Sequence, residues 1–386
     1  MFTEHISAEL ILFFILYGIT GVVPFMAAIY LLLRRGNAFA PEVTPPVRLR
    51  RWAASFFAMS ALGHVWWMLF YFYSRHFHSM DDLIHSAAYV AIVVFDSVTM
   101  LTTLGGTLLS MLQDRRRCIW PIFVAMIPFV VLGGVFMVYP SQPIMFIISV
   151  YILSLYVLFT VYMVFAIRCY ERWLNDNYAD LENKKVWLSQ VLTLTCLLLF
   201  ILYTLVDTSS TILIFLMHFA ELFFFGLLLW RVETLPQLDS ISTEEVCTKE
   251  SASEAAQVIP TQAQQSLTIP AHIEQLLEER CVCTQLYLKH DLTLAQLAVA
   301  IGTNRSYLSQ YFSSQGLNYN AYINGLRINH FISCYHDVVA NQQPFTVQQL
   351  AHDCGYRSYS TFSLAFKQRM GQSVTAWKRE SIDGLS

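Results

Sequence analysis

The sequence predicts an all-α protein: a seven-transmembrane-helix bundle, then a flexible linker, then a small domain built from two helix-turn-helix units. Three observations predict this class. The chain has 386 residues, of which 55% are hydrophobic and only 13% charged, whereas soluble domains carry about 25% charged residues. The apolar residues are concentrated before residue 231 and the polar ones after it. Near the C-terminus, two segments repeat the same order of capping residue, apolar positions and glycine.

Seven apolar runs are each close to the roughly 20 residues that cross a bilayer as a helix. The first run is longer than the about 7 to 15 residues of a signal-peptide core and follows no basic segment, so we expect it to remain as a span. Together the runs predict a seven-span transmembrane domain over residues 1–231. They lie at about Ala8–Leu33, Trp52–Tyr73, Ser86–Leu112, Ile119–Tyr139, Pro143–Ile167, Val186–Val206 and Thr211–Trp230.

Basic residues occupy every second loop between these spans, and Arg75 is the only basic residue in the intervening loops. Cytoplasmic loops carry the excess of lysine and arginine in membrane proteins. We therefore expect a multi-pass protein with its N-terminus outside and its C-terminal third in the cytoplasm. The basic loop residues are Arg34, Arg35, Arg48, Arg50 and Arg51 after the first span, Arg115, Arg116 and Arg117 after the third, and Arg168, Arg172, Lys184 and Lys185 after the fifth.

Residues 232–269 are acidic, rich in serine, threonine and glutamine, and poor in aromatic residues. This composition is typical of a flexible linker, and a coil of this length spans roughly 35 Å. Cysteines are mostly single, and only Cys281 and Cys283 lie close together. Because no second pair or nearby histidine completes a tetrahedral set, we expect reduced cysteines, no metal site among them and no cofactor.

The first repeated segment is "LTLAQLAVAIGTNRSYLSQYF". Thr293 is placed to cap a short helix, Gly302 to make a tight turn, and residues from Asn304 to Phe312 to form a second helix. This is the pattern of a helix-turn-helix. Its expected core residues are Leu294, Leu297 and Ala298 in the first helix and Tyr307, Leu308 and Phe312 in the second.

The second repeated segment is "FTVQQLAHDCGYRSYSTFSLAF". Here Thr346 is the expected cap, Gly355 the turn, and Ser358–Arg369 the second helix. Its expected core residues are Val347, Leu350 and Ala351, followed by Phe362, Leu364 and Phe366.

Residues from about Ile273 to Arg379 resemble the AraC/XylS-type DNA-binding domain. The resemblance lies in "LTLAQLA", "YLSQYF", the connecting "YINGLRINHF" with Arg327, and "LAHDCGYRSYSTFSLAFKQRMGQSVTAW". Val374 stands where that family usually has proline, and Phe331 where a small residue is common. The resemblance implies a domain over residues 270–386 in which a long helix joins two units, a transcription-regulating function in a bacterium, and double-stranded promoter DNA as partner.

The resemblance and the polar helix faces together predict the DNA contacts, since a reading helix presents hydrogen-bonding groups to base edges and phosphates. The alternative is that each such residue merely belongs to a solvated helix face. The domain has nearly as many acidic as basic residues, so we expect few phosphate contacts. The candidates are Asn304, Arg305, Ser306, Ser309 and Gln310 in the first unit, Arg327 in the connecting helix, and Arg357, Tyr359, Ser360, Thr361, Ser363, Lys367 and Arg369 in the second.

Ionisable residues stand near the middle of three predicted spans, where charge is unfavourable and functional residues are common. They are His64, Asp96, and the His218 and Glu221 pair, which share a helix face at a spacing of i, i+3. Thr99 extends the polar stripe of Asp96. These residues are candidates for a pocket that takes a small polar ligand, a metal ion or a proton. The alternative is that they pair with one another and hold helices together.

These features lead to one hypothesis and two alternatives. The hypothesis is a bacterial inner-membrane transcription regulator, not an enzyme, whose bundle senses a small-molecule or membrane signal and whose domains pair in a homodimer. One alternative is a transporter or intramembrane enzyme with an autoregulatory DNA-binding tail, although no HExxH, GxSxG or glycine-rich phosphate loop is present. The other is a membrane-anchored regulator released by proteolysis.

Overall fold

The structure, a computed structural model, is all-helical within the residues it describes: 8–34, 37–76, 82–181, 184, 186–205, 211–238, 272–342 and 344–383. These residues divide into two compact units. The bundle comprises Met1–Tyr170 and Val186–Leu238, and the C-terminal domain comprises Glu171–Lys185 and Asp239–Ser386. The C-terminal domain is therefore discontinuous in sequence, because it includes a segment from between two predicted spans.

Within the described residues, a helix corresponds to each of the seven predicted spans. Six of these helices, all but α6, are long and apolar enough to cross a membrane, so the seventh span stays a prediction. The main difference in extent is α5, which continues ten residues beyond the predicted end at Ile167. The helices are α1 (Ala8–Leu33), α2 (Val47–His76), α3 (Asp82–Ser110), α4 (Trp120–Val138), α5 (Gln142–Asn177), α6 (Trp187–Leu205) and α7 (Thr211–Thr234).

The surface of the bundle is apolar where a soluble protein would be polar. Large side chains such as Phe123, Val131 and Leu158 are more than half exposed, as expected for residues that face lipid. Inside the bundle, small residues allow close packing. Gly106 of α3 lies against the ring of Trp52 on α2 so closely that a Cβ atom at this position would clash with the ring.

The predicted linker is corrected at its start. Residues 232–234 continue α7, and Glu233 is buried, where its Oε2 accepts a hydrogen bond from the hydroxyl of Tyr30 at 2.9 Å and its Oε1 lies 3.8 Å from Nε of Arg50. The chain stays with the bundle to Leu238, whose backbone N–H donates to Gln113. Pairing with an arginine and a tyrosine explains why this acid is not part of a solvated segment. The linker prediction from residue 239 to 269 lies outside the described residues.

The C-terminal domain contains both predicted helix-turn-helix units. Residues 272–277 are helical and lead into a π turn, Glu278–Val282, and a 3₁₀ turn, Leu286–Leu288. The first unit is α8 (Leu294–Ile301) and α9 (Arg305–Ser314); the second is α11 (Val347–Asp353) and α12 (Tyr359–Met370). The long α10 (Tyr319–Ala340) joins them, and α13 (Val374–Asp383) ends the domain.

Each helix-turn-helix unit has its own hydrophobic core, and α10 contributes to both. Tyr319 and Ile323 belong to the core of the first unit, whereas Ile328 and Phe331 belong to that of the second. The rings of Phe331 and Phe362 are 4.5 Å apart between centroids. One helix therefore ties the two units together through aromatic and aliphatic packing.

The predicted caps Thr293 and Thr346 are confirmed, and Ser358, predicted as the first residue of a helix, is the cap of α12. Thr293 forms a capping box with Gln296, and the side chains of Thr346 and Ser358 accept hydrogen bonds from backbone N–H groups in the first turns of α11 and α12. The turn glycines, Gly302 and Gly355, adopt φ angles of +81° and +90°, a region that disfavours side chains. The polar residues before each helix therefore satisfy its first N–H groups as the sequence indicated.

Two core assignments are wrong. Tyr307 and Leu364 are about half exposed, at 51% and 50%. Leu364 lies midway in sequence between Phe362 and Phe366, which are fully buried. Each residue of a helix is rotated by about 100° from the one before it, so Leu364, two positions after Phe362, faces the opposite side of the helix. Tyr307 is likewise displaced from the face of Leu308 by a single position.

Candidate nucleic-acid interface and polar cluster of the bundle

The helix α12 separates an apolar face from a polar one. Phe362, Ala365 and Phe366 pack in the core, and the ring of Phe366 lies 5.4 Å from that of Trp377. The predicted contact residues lie on the remaining faces, where they are exposed or half-buried: Tyr359, Ser360, Thr361, Ser363, Lys367 and Arg369. The accessible part of the helix thus carries hydroxyl groups at its start and positive charges at its end.

Arg357 precedes this helix and its side chain is 65% exposed. Its guanidinium forms an ion pair with Asp291, which lies in the loop before the first helix-turn-helix unit and adopts a positive φ of 54°. The pair is open to solvent, where such pairs contribute little to stability. A phosphate or a guanine edge can therefore compete with Asp291 for Arg357.

The first unit presents its candidates at the N-terminus and outer face of α9. Asn304 caps the helix by accepting a hydrogen bond from the N–H of Ser306 at 2.6 Å. Ser306 and Gln310 are exposed, and Ser309 is half-buried. Arg305 is half-buried as well, and its Nη2 donates a 2.6 Å hydrogen bond to Oδ1 of Asn177.

Asn177 begins a segment that packs on the first unit; we call Asn177–Asp180 together with Lys184 the strap. The first four strap residues are all buried, and Ala179 is part of the core of the first unit. Tyr178 forms an isolated antiparallel bridge with Thr293. This packing makes the strap part of the folded domain rather than a solvated loop.

Polar contacts hold the strap along its length. Asn320 of α10 donates to the carbonyl groups of Tyr178 at 3.1 Å and Ala179 at 2.7 Å, and Asn324 donates to that of Ala179 at 3.3 Å. At the other end, Nζ of Lys184 lies 3.6 Å from Oδ1 of Asp291. Asp291 therefore contacts both the strap and Arg357.

Arg327 is corrected from a DNA-contact candidate to a buried residue. Its Nε donates to the carbonyl of Tyr287 at 2.7 Å, its Nη2 donates to that of Lys289 at 2.8 Å, and its guanidinium lies over the ring of Tyr356. Burial lowers the pKa of this arginine. Because only 1% of the residue is exposed, it holds the two units together and has no surface to offer to DNA.

Two cysteines and a histidine meet in the C-terminal domain, a group that was not predicted although His330 and Cys334 are spaced i, i+4 on α10. One ligand atom each of His330, Cys334 and Cys354 lies within 4.8 Å of the others. Burial raises the pKa of the Cys354 thiol to about 12, which opposes the thiolate that a metal requires. Burial therefore favours the protonated thiol of Cys354, which packs in the second core together with Cys334.

In the bundle, three of the predicted polar residues converge, and we call His64, His218 and Glu221 the polar cluster. Nε2 of His64 on α2 lies 3.7 Å from Oε2 of Glu221 on α7, and Nδ1 of His218 lies 3.5 Å from the same oxygen. One ligand atom of each residue lies within 4.8 Å of the others. The arrangement can hold helices together by hydrogen bonds or hold a cation between them.

Asp96 and Thr99 both lie on α3, but their side chains have different neighbours. Asp96 faces α2 next to the polar cluster, since a Cβ atom on Gly63 would lie 2.8 Å from its Oδ1. Thr99 bonds to its own helix, with its hydroxyl 3.0 Å from the carbonyl oxygens of both Phe95 and Asp96. Asp96 is therefore placed to act on His64, whereas the hydroxyl of Thr99 satisfies the backbone of α3.

Sequence reasoning missed three residues. On α1, Thr20 Oγ1 lies 3.5 Å from His218 Nδ1, and the ring of Tyr17 lies 5.0 Å from that of His64; their i, i+3 spacing in an apolar span was the available signal. Asn177 carried no such signal, because its partner Arg305 is far away in sequence.

Comparison with protein families supports the C-terminal assignment. Residues 297–380 match a family described as a helix-turn-helix domain, of the AraC type. The match begins inside α8 and ends inside α13, so it covers both units and the helix between them. Comparison with curated proteins and with solved structures gave no significant match.

Proposed function

We propose that the chain is a membrane-integrated, one-component transcription regulator of a bacterium. Its C-terminal domain binds promoter DNA sequence-specifically, and its bundle crosses the inner membrane and responds to a signal. The observation that carries the proposal is the presence, in one chain, of a double helix-turn-helix domain and of six apolar helices long enough to span a bilayer.

DNA binding rests on the shape and chemistry of α9 and α12. In a helix-turn-helix protein the second helix enters the major groove, and residues near its N-terminus contact base edges. Asn304 and Ser306 stand there in the first unit, and Tyr359 and Ser360 in the second. Lys367 and Arg369, near the C-terminal end of α12, contact the phosphate backbone.

The orientation follows from the basic loops, which favour an external N-terminus and a cytoplasmic C-terminal domain. A cytoplasmic position is also what DNA binding requires. Pairing of two chains in the membrane would place two C-terminal domains on one operator and raise their effective concentration. We therefore include a homodimer in the proposal.

The signal acts at the polar cluster, with Asp96 beside it and Thr99 on the same helix as Asp96. An ionisable side chain inside a membrane bundle is by default a candidate for a ligand or ion site. Substitution of His218 by alanine is expected to abolish the response of a target promoter while leaving DNA binding in place.

The decisive experiment is chromatin immunoprecipitation with sequencing of the full-length protein in its host membrane. We expect discrete peaks that disappear in an Arg357→Ala/Lys367→Ala variant. A Lys289→Ala/Arg379→Ala variant removes the same charge from residues outside α9 and α12 and should keep the peaks. The same proteins, solubilised in detergent, are used to select duplexes from a random-sequence library.

Two outcomes would overturn the proposal. Absence of peaks together with no sequence enriched from the library would remove DNA binding. Equal loss of peaks in both variants would show that charge alone, rather than the surface of α12, retains the protein on DNA.

A further inference from the structure

The polar cluster of the bundle has the composition of a transition-metal site. It offers two imidazole nitrogens and one carboxylate oxygen, from residues on two helices. This set suits Zn²⁺ and other divalent first-row ions, whereas Mg²⁺ and Ca²⁺ prefer oxygen ligands alone.

The distances fit such an ion. Bonds of about 2.1 Å in a tetrahedron place neighbouring ligand atoms about 3.4 Å apart. Nε2 of His64 and Nδ1 of His218 lie 3.7 Å and 3.5 Å from Oε2 of Glu221. An ion can therefore enter between these side chains with small shifts of each ligand.

A second layer of contacts prepares the first histidine for this role. Nδ1 of His64 lies 2.9 Å from the carbonyl oxygen of Ser60. Because a carbonyl only accepts, Nδ1 carries the proton and Nε2 presents its lone pair to the cluster. Metal-bound histidines characteristically donate their other N–H to a backbone carbonyl or a carboxylate.

The surroundings of the second histidine leave its ligand atom available. The hydroxyl of Thr20 donates to the carbonyl of Tyr17 at 2.8 Å, so its hydrogen does not occupy the lone pair of Nδ1 of His218, although the two atoms are 3.5 Å apart. The carboxyl group of Asp96, which lies against Gly63, can in its ionised form offset the positive charge that a divalent ion leaves on the cluster.

We infer that the bundle binds one divalent first-row transition-metal ion through His64 Nε2, His218 Nδ1 and Glu221 Oε2, with a coordination position left open. The inference rests on the proposed function: the metal ion is either the signal itself or the group that binds the signal molecule. With three protein ligands, a water molecule or a signal molecule takes the fourth position.

The test is a titration of chelator-treated, full-length protein in detergent with Co²⁺, which reports tetrahedral binding by visible absorption. We expect one equivalent to bind, and we expect His64→Ala and Glu221→Gln each to weaken binding by at least about tenfold. His336→Ala removes an exposed histidine of the C-terminal domain and should change nothing. Cys334→Ser excludes the cysteine group as the source of the absorption.

No saturable binding, or binding that the His64 and Glu221 variants retain, would overturn the inference. The cluster would then hold helices together by hydrogen bonds alone, and Glu221→Gln would lower thermal stability with or without metal. Selection of DNA sequences does not depend on the metal, so a failed titration leaves the proposed function standing.

A second inference concerns the strap and is carried by different contacts. The strap engages the first residue of α9, since Asn177 holds the guanidinium of Arg305 at 2.6 Å. An arginine at this place in a reading helix is positioned for DNA. With Nη2 bonded to Asn177 and the side chain half-buried, the guanidinium offers fewer than its five N–H groups to a phosphate or base.

The strap begins at the last residue of α5 and is followed by α6, so movement of either helix pulls on it directly. Its anchoring on Asn320 and Asn324 consists of three hydrogen bonds to backbone carbonyls. The net contribution of each such bond is small, because water replaces it when it breaks. Release of the strap also exposes the buried side chains of Tyr178 and Ala179, so the signal must offset the loss of that burial as well as of the hydrogen bonds.

The geometry points to an autoinhibitory contact in which the docked strap lowers DNA affinity by withholding Arg305. This inference also rests on the proposed DNA binding. Release of the strap frees Arg305 and removes Lys184 from Asp291, whereas Arg357 of the second unit keeps its ion pair with Asp291. The two units therefore respond differently to the state of the bundle.

The test measures binding of the full-length, solubilised protein to a duplex recovered from the library selection. We expect Asn177→Ala to tighten binding about three- to tenfold, and this gain to vanish in an Arg305→Ala background. Asn175→Ala is the matched control, since Asn175 lies two residues earlier in α5 and should leave affinity unchanged.

Asn320→Ala removes two strap contacts without touching Arg305 and should also tighten binding. Unchanged or weaker binding in both Asn177→Ala and Asn320→Ala would overturn the inference, as would a gain that persists without Arg305. If no variant binds any selected duplex, the proposed function fails instead.

Discussion

The two helix-turn-helix units share one plan and differ in what covers their reading helices. In the first unit, Arg305 at the start of α9 is half-buried against Asn177 of the strap. In the second, Arg357 before α12 is exposed and paired with Asp291 at the surface. A distant segment thus controls access to DNA in one unit, while the other stays open. We expect the second unit to supply constant affinity and the first to supply the adjustable part.

Substitution of the turn glycines should give the largest difference in stability between the two units. A Cβ atom on Gly355 would lie 2.6 Å from the carbonyl oxygen of Leu288, whereas on Gly302 it would meet only the movable tip of Arg280 at 2.9 Å. We expect Gly355→Ala to destabilise the domain by about 3 kcal/mol and Gly302→Ala by about 1 kcal/mol. Hydrogen exchange of core amides in the full-length protein measures both, and equal effects would contradict the difference.

Loss of one arginine from each unit should give a smaller difference, which is measured as DNA affinity. Arg357→Ala should weaken binding to a selected duplex by about 2 kcal/mol and reduce its salt dependence. Arg305→Ala should weaken it much less in the wild-type background, because the strap already holds this side chain. A salt titration of binding by fluorescence anisotropy measures both. A larger loss for Arg305→Ala would mean that the first unit is the open one.

The caps should affect the two units almost alike. Thr293 caps α8 within a capping box, and Thr346 caps α11 by its side chain alone. Each alanine substitution should lower stability by about 1 kcal/mol, because each removes one hydroxyl oxygen that accepts from a backbone N–H. The backbone N–H of Thr293 keeps Oε1 of Gln296 as its acceptor in Thr293→Ala, so the capping box adds no further loss. Thermal unfolding of the solubilised protein measures both. Ser313→Ala, on the exposed side of α9, is the control and should be neutral; a large loss in only one of the two cap variants would contradict the expectation.

The smallest difference between the two units is expected in the reactivity of their buried thiols, which does not affect stability at neutral pH. Burial raises the pKa of Cys281 in the first core to about 11 and of Cys354 in the second to about 12. Both thiols stay protonated at pH 8, so iodoacetamide should label exposed Cys283 and spare them. Above the ordinary thiol pKa, ionisation of the unfolded chain lowers the free energy of unfolding as pH rises, until each buried thiol ionises in turn. Labelling of Cys354 before Cys281 would contradict this order.

The sequence predicted what depends on local signals. Thr293 and Thr346 were recognised as caps because a short polar side chain before an apolar helix satisfies the first N–H groups. Phe362 and Phe366 were placed inward by their i, i+4 spacing. The apolar runs placed the helices of the bundle to within a few residues, except for the longer α5, because the thickness of a bilayer sets their length.

What the sequence did not predict depends on contacts between distant residues. Arg327 was assigned to DNA by the resemblance and by its polar side chain, whereas two carbonyl groups and an aromatic ring satisfy it inside the domain. Glu233 was assigned to the linker by composition, although Arg50 and Tyr30 retain it in the bundle. Leu364 shows the same limit, since hydrophobicity alone does not say which helix face a residue occupies.

The discontinuous make-up of the C-terminal domain bears on how this protein is inherited and rearranged. A recombination event that transplanted residues 239–386 onto another membrane anchor would carry both reading helices but leave Ala179 and its neighbours behind. The first core would lose a side chain that it buries almost completely, and Arg305 would lose its partner. The regulator is therefore modular in appearance only: its anchor and its DNA-binding part are expected to change together.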